Sequence, residues 1–257
     1  MLIGYRVKSE TAALLRAAGL NAAAPVVLMY HSILDEPSLP WLAVPPAEFK
    51  AQLAGLRQRG FSFIGMDEVV AAVKGERSLA AQSICVTFDD GRRDNLLHAL
   101  PVLEELAVPA TIFIATRPCE AGDRMRGVAL CSPDEVGLLG SHPLITVAGH
   151  GHRHVRLADL PRDEAVEDVE TGKRRLEAWL GHPVAHFAYP YGSFSDDTVT
   201  IVRNAGYVSA ATVRPGHLGG DRSAYRIGRL AVARGTSPRA LAGMCSAGYV
   251  AMSSLRS

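Results

Sequence analysis

Between residues 26 and 213, short apolar runs alternate with segments of helical character. VVLMYH (26–31), FSFIGM (61–66), SICVTF (83–88), ATIFIA (110–115), LITVAGH (144–150), AHFAYP (185–190) and YVSAATV (207–213) read as strands. The intervening stretches 46–60, 67–75, 95–107, 132–143 and 161–181 read as helices, as does 196–206. The segment 161–181 opens on proline, carries its acids first and its bases late, and ends at Gly181, as a helix dipole favours. Asp67 is the expected cap of the second helix, and Pro101 is expected to bend or split the third. Strands alternating with helices mean a parallel sheet. About seven such units with no polar linker between them predict an α/β fold closed as a barrel rather than an open sheet. In such barrels the chemistry sits at the C-terminal ends of the strands.

The chain has 257 residues, which suits one large α/β domain or two small ones. Its formal net charge of +1 gives no electrostatic footprint for a nucleic-acid partner or an anionic membrane. Cys85, Cys119, Cys131 and Cys245 form no CxxC pair, so neither a disulfide framework nor a cysteine zinc site is expected, and Cys85 reads as core. No run approaches the ~20 apolar residues of a transmembrane helix. Residues 9–19 read as an amphipathic helix with Ser9 as cap and Gly19 as stop, which sets a helical extension (1–24) apart from a catalytic domain (25–257). Charges interrupt every candidate apolar core of a signal peptide. A cytoplasmic location is therefore expected, or a periplasmic or membrane-associated one if a leader is removed.

Polar clusters fall at the predicted strand ends. Asp89 and Asp90 end one strand in VTFDDG, and His31 ends the first. His150 ends another, with His154 four residues on in HGHRH. Tyr189, Pro190 and Tyr191 end a third in YPYG. Two imidazoles and one carboxylate are a common ligand set for a catalytic divalent metal, with positions left open for water and substrate. A second carboxylate beside that ion can take a proton from water, and the cation would offset the repulsion between the two acids. Taken singly, HxxxH reads as a polar loop, and DDG as a turn with one Asp capping the next helix, a task for which Asp94 is better placed.

In this order and at these separations, VTFDDG, HGHRH and FAYPYG resemble the motifs of the NodB-type polysaccharide deacetylases, carbohydrate esterase family 4. The similarity spans most of residues 25–235. The resemblance implies a distorted (β/α) barrel of about seven strands. It implies Asp89 as general base and Asp90, His150 and His154 as ligands of a divalent metal, most often Zn2+, with Co2+ or Ni2+ as alternatives. It puts Tyr189, Pro190 and Tyr191 along the substrate groove, with the Tyr191 N–H helping to bind the oxyanion. The family's late Leu-x-His motif is missing. VVLMYHSI, however, resembles the first strand of the subgroup acting on poly-N-acetylglucosamine, which implies His31 as general acid, with His217 as runner-up. The arginine that precedes Pro-Tyr in relatives is also missing, and Arg226 or Arg229 is the expected substitute. His98, His142, His182 and His186 are given no functional role, and Trp41 is expected to anchor a loop.

The resemblance implies a metal-dependent hydrolase acting on carbon–nitrogen bonds of linear amides. It would remove N-acetyl groups from amino sugars in a polysaccharide or glycan precursor, with an activated water attacking the acetyl carbonyl. An O-acetyl esterase, a hydrolase of non-sugar amides, and a degenerate glycan-binding module remain alternatives. The expected partner is an N-acetylated glycan.

Overall fold

The structure, a computed structural model, describes residues 22–39, 43–216, 218 and 223–249. The predicted helix at 9–19, Trp41 and His217 lie outside the described residues. The chain runs from β1 (Val26–Tyr30) through the short pair β2 (Ser32–Ile33) and β3 (Ala43–Val44) to helix Pro46–Gln58. Then come β4 (Ser62–Ile64), helix Met66–Val73, β5 (Ser83–Phe88), a π-helical turn Asn95–Ala99 with helix Leu100–Glu105, and β6 (Ala110–Ile114). Helix Thr116–Glu120 leads to a hairpin, β7 (Arg124–Met125) and β8 (Val128–Ala129), followed by helix Pro133–Gly140 and β9 (Ile145–Gly149). The last third holds helix Arg162–Leu180, β10 (His186–Ala188), helix Asp196–Asn204, β11 (Ser209–Ala211), β12 (Leu230–Ala231) and helix Pro238–Met244.

The main sheet is parallel and ordered β11-β10-β9-β6-β5-β1-β12. β4 pairs with the first half of β5, ahead of the register taken by β6. The two ends of the sheet meet where Ala211 bridges Ile227 and Thr212 donates its N–H to the Ile227 carbonyl at 2.8 Å, just before β12. Among the described residues this β-bridge and the backbone bonds beside it close the circuit, so the predicted barrel is present in distorted form. All residues of β1 and β5 are buried, which is the condition of a parallel sheet covered on both faces. Tyr30, Phe49 and Phe88 form an aromatic cluster under helix Pro46–Gln58, with ring centroids 5.1 to 5.8 Å apart. No helix among the described residues is long and apolar enough to cross a membrane.

Local expectations hold where the signal is local. Ser132 and Glu135 form a reciprocal capping box, and Gly181 ends helix Arg162–Leu180 in the left-handed region. Pro101 splits its segment between the π-helical turn and the α-helix. Two cap assignments are corrected. The second helix starts earlier than predicted, so the Gly65 N–H is satisfied by Glu68 at 3.0 Å, while Asp67 turns to His186. Asp94 caps nothing; its carboxylate accepts the Ile33 N–H at 2.8 Å, a tertiary partner that outcompetes the local one.

Helix Arg162–Leu180 seats the loop that follows β9. Its buried Asp168 accepts the His152 N–H at 2.9 Å and the Arg153 N–H at 3.0 Å. One turn on, Gly172 lets the helix touch that loop: a Cβ there would lie 2.8 Å from the Gly151 carbonyl carbon and 3.0 Å from the His152 nitrogen. Both are backbone atoms and cannot step aside. In an open helix Gly→Ala gains about 1 kcal/mol. Here Gly172→Ala is expected instead to lower stability by about 1–3 kcal/mol through overpacking. Urea denaturation checks this, and a variant more stable than the parent would refute the close-approach role.

Candidate metal centre

Four strand ends converge on one spot. β5 delivers Asp89, whose N–H still bonds to the Tyr30 carbonyl of β1 at 3.1 Å. The chain then turns sharply, with Asp90 at φ 76° and Gly91 at φ 74°. A non-glycine residue in that region costs about 1–2 kcal/mol, and the turn is what points two successive carboxylates into one buried site. β9 delivers His150, whose N–H bonds to the Ile114 carbonyl at the end of β6 at 2.9 Å. His154, also left-handed at φ 57°, closes the loop held by Asp168. The HxxxH spacing is thus realised in a tight loop rather than on a helix.

The donor atoms suit a small divalent ion. Asp90 Oδ1 lies 3.2 Å from His154 Nε2 and 3.8 Å from His150 Nε2. The candidate ligand atoms of Asp90, His150 and His154 all lie within 4.8 Å of one another. Two donors each ~2.1 Å from a tetrahedral ion stand ~3.4 Å apart. His150 Nδ1 faces the Ala188 carbonyl at 2.8 Å. A carbonyl only accepts, so Nδ1 carries the proton and the lone pair of Nε2 is left for the ion. Burial, first of all, pushes the His150 imidazole down to about 4, which keeps it neutral and able to ligate.

Each acid has its own buried guanidinium. Arg229 grips Asp89 with two bonds, Nη1 to Oδ1 at 2.6 Å and Nη2 to Oδ2 at 2.8 Å. Arg92 donates Nε and Nη2 to Asp90 Oδ2 at 3.0 and 2.8 Å, leaving Oδ1 for the histidine side. Both arginines are essentially inaccessible, at 0% and 1% exposure. Burial works to raise the Asp89 carboxyl, but Arg229 and His150 outweigh it and hold the acid below its ordinary value. Asp90 is likewise held well below the carboxylate range, against its burial, by His154, His31 and Arg92. The mutual repulsion of the two acids is therefore offset by guanidinium groups already in the fold, and not by a metal ion alone as the sequence suggested. Of the two arginines named as substitutes for the missing one, Arg229 reaches Asp89, whereas Arg226 turns to Asp196 at the surface.

His31 follows β1 beside the acids. Burial lowers its imidazole, while the fields of Asp89 and Asp90 oppose that shift. In YPYG only Tyr191 reaches the site. It is 50% exposed at φ 58°, with its ring centroid 4.7 Å from that of His154 and the Arg156 guanidinium 5.0 Å above it. Tyr189 and Pro190 do not line the groove as predicted. Tyr189 is fully buried, stacks on Phe194 and bonds through its hydroxyl to the Tyr225 carbonyl, and the buried Pro190 shapes the turn. A strand enters the core along its whole length before the turn, so these two side chains face packing rather than solvent.

His152 points away and bonds Thr116 Oγ1 at 2.8 Å. His98 and His142 serve structure through Ile33 and Glu104, and His186 through Ser209 and Asp67. Arg92 and Asp168 were not foreseen. Asp168 left one signal, an acid on the face of the helix that buries Val169 and Leu176.

Comparison with known proteins agrees with this geometry. A family model described as Polysaccharide deacetylase matches residues 76–210. The poly-beta-1,6-N-acetyl-D-glucosamine N-deacetylase of Staphylococcus epidermidis is 23% identical over 198 residues, covering 74% of this chain and 68% of that protein. YxkH of Bacillus subtilis is 25% identical over 211 residues, covering 82% and 72%. Among solved structures, IcaB from Ammonifex degensii superposes with a TM-score of 0.76 at 28% identity, over 87% of this chain and 97% of that one. The matched segment contains Asp89, Asp90, His150, His154 and Tyr191, the residues that meet at the strand ends, and the chain belongs to the polysaccharide deacetylase family.

Proposed function

We propose that this chain removes N-acetyl groups from amino sugars of a glycan by amide hydrolysis at the Asp90–His150–His154 cluster. The observation that carries the reading is that cluster's geometry beside a buried, arginine-gripped second carboxylate. The donor set fits Zn2+, with Co2+ and Ni2+ acceptable to the same nitrogen and oxygen donors. Such an ion, when bound, polarises a carbonyl and acidifies water.

The chain's own residues supply the rest. Asp89, held ionised and oriented by Arg229, takes the proton of the attacking water. The Tyr191 N–H lies in a left-handed turn whose own hydrogen bonds are donated by Gly192 and Ser193, and it is assigned to the oxyanion that develops on the acetyl oxygen. His31 is assigned the proton that the departing nitrogen needs; burial lowers its imidazole overall, and the fields of Asp89 and Asp90 oppose that shift. The exposed face of Tyr191 offers a platform for a sugar ring. Acetate and the free amine leave. The name of the S. epidermidis relative makes a β-1,6-linked N-acetylglucosamine polymer the first substrate to try.

Acetate release from N-acetylglucosamine oligomers tests the reading, with acetylated xylan as the arm for O-deacetylation. Asp90→Ala and His154→Ala are each expected to lose both bound metal and turnover, measured by metal analysis of the purified protein alongside the assay. Asp89→Asn is expected to keep the metal and lose about 10²–10⁴-fold in kcat; full turnover in that variant would overturn the base assignment. Arg229→Ala is expected to cost about 3–5 kcal/mol of folding stability, because it leaves Asp89 buried without its partner. An unchanged denaturation midpoint would show that the pair does not hold the site together.

A further inference from the structure

A cavity of about 350 Å³ opens beside Arg93 and Asp94, within the size range of small-ligand sites. It lies between the segment after β2 and the β7–β8 hairpin, and Leu34, Ser38, Arg93, Leu97, Arg124 and Arg126 are among its walls. Arg92 connects the two sites. Its Nε and Nη2 bond Asp90, while its Nη1 bonds the Met125 carbonyl of the hairpin at 3.3 Å. The hairpin is further tied to the DDG turn through the Arg92–Leu130 bridge and the Cys131 N–H to Gly91 carbonyl bond of 2.9 Å.

The charges in this cavity are unevenly satisfied. Arg93 is paired with Glu135. Two acids also line the cavity: Glu36 accepts from Ser38 through Oε1, and Asp94 accepts from Ile33 and Asn95 through Oδ1. Arg124 donates only to the Gly127 carbonyl, and among the described residues neither Arg124 nor Arg126 has a carboxylate at ion-pair distance. Arg126 occupies the first left-handed position of the two-residue hairpin turn, at φ 50°, ahead of Gly127 at φ 81°. Asparagine, aspartate or glycine is preferred there. A long cation at a strained, exposed position beside a cavity points to a ligand that uses the cation.

We propose that this cavity is a subsite for a sugar unit bearing an anionic substituent, carboxylate or phosphate. Arg124 and Arg126 bind that substituent while a neighbouring unit presents its acetamide to the metal centre. Leu34 and Leu97, the latter 51% exposed, offer the apolar contact for the sugar ring. Arg156 over Tyr191 adds a further cation on the histidine side of the centre. The subsite deepens the deacetylase reading above and rests on it.

Binding of three N-acetylglucosamine oligomers to the full chain tests it: one neutral, one containing uronate units and one bearing phosphate. Calorimetry is expected to show at least one anionic oligomer binding about tenfold tighter than the neutral one at low salt, with the preference fading as salt rises. The arm that wins identifies carboxylate or phosphate. Arg124→Ala combined with Arg126→Asn is expected to abolish the preference while acetate release from the neutral oligomer continues. If that variant unfolds, Arg126→Glu alone, at an exposed hairpin tip, is expected to reverse the preference. Equal binding of all three oligomers, or a preference that survives these substitutions, overturns the subsite. Acetate release without charge preference overturns the subsite alone. Charge-selective binding with no release from any oligomer overturns the deacetylase reading and leaves the anion site standing.

Discussion

Two successive carboxylates, both nearly inaccessible to water, are the constraint around which the rest of this structure is arranged. A buried charge costs several kcal/mol unless it is paired and its hydrogen-bonding capacity is met. Asp89 and Asp90 meet that demand with one guanidinium each, drawn from opposite directions. Arg229 arrives from the segment that closes the barrel, and Arg92 from the turn that follows the acids. The pairing leaves only Asp90 Oδ1 directed at the two imidazoles. Arg229 also donates to the Thr212 carbonyl and to Thr87, so the residue that orients Asp89 also ties the strand β11 side of the barrel to β5. Closure of the fold and orientation of the acid are one set of bonds.

The histidine side depends on a different device. Neither imidazole sits on regular structure: His150 stands just past β9 and His154 lies in a left-handed turn. Helix Arg162–Leu180 makes this loop rigid by offering it a buried carboxylate and, one turn away, a missing side chain. Asp168 satisfies two main-chain donors that would otherwise be orphaned, and Gly172 allows the backbone contact that brings those donors within reach. The Ala188 carbonyl then sets which nitrogen of His150 is free. Three strands and one helix, far apart in sequence, thus fix two donor atoms.

The mouth of the site is asymmetric. On the histidine side an exposed tyrosine carries an arginine above its ring. On the acid side Arg92 leads from Asp90 to a short hairpin and its open, arginine-rimmed cavity. On the proposed reading, a glycan laid across the centre meets both sides, and hydrolysis requires only the middle. Specificity for the flanking units is therefore free to reside in the short hairpin, whose sequence carries none of the burden of holding the sheet together.

Much of this was legible in the chain. The alternation of apolar runs and helical segments was enough for the parallel barrel. Asp89, Asp90, His150, His154 and Tyr191 could be picked out because strand-end polar residues in a (β/α) barrel have few structural reasons to exist. Caps written within four residues, such as Ser132 with Glu135, were read correctly because both partners are local. What failed were statements about which way a side chain faces. Tyr189 and Pro190 went to the core, and Asp94 turned from its helix to Ile33. Arg92 and Asp168 passed unnoticed as catalytic-site supports. Sequence by itself determined the order of the main strands and helices up to residue 213 and the residue types gathered at the strand ends, since periodicity and residue type are properties of short stretches, whereas the β7–β8 hairpin, β12 and helix Pro238–Met244 carried no such signal. Only the tertiary structure decided that Arg229, 140 residues away in sequence, is the arginine that grips Asp89, and that the cavity beside the β7–β8 hairpin exists. Ion pairing and close approach depend on distances that barrel closure sets, and no local pattern encodes them.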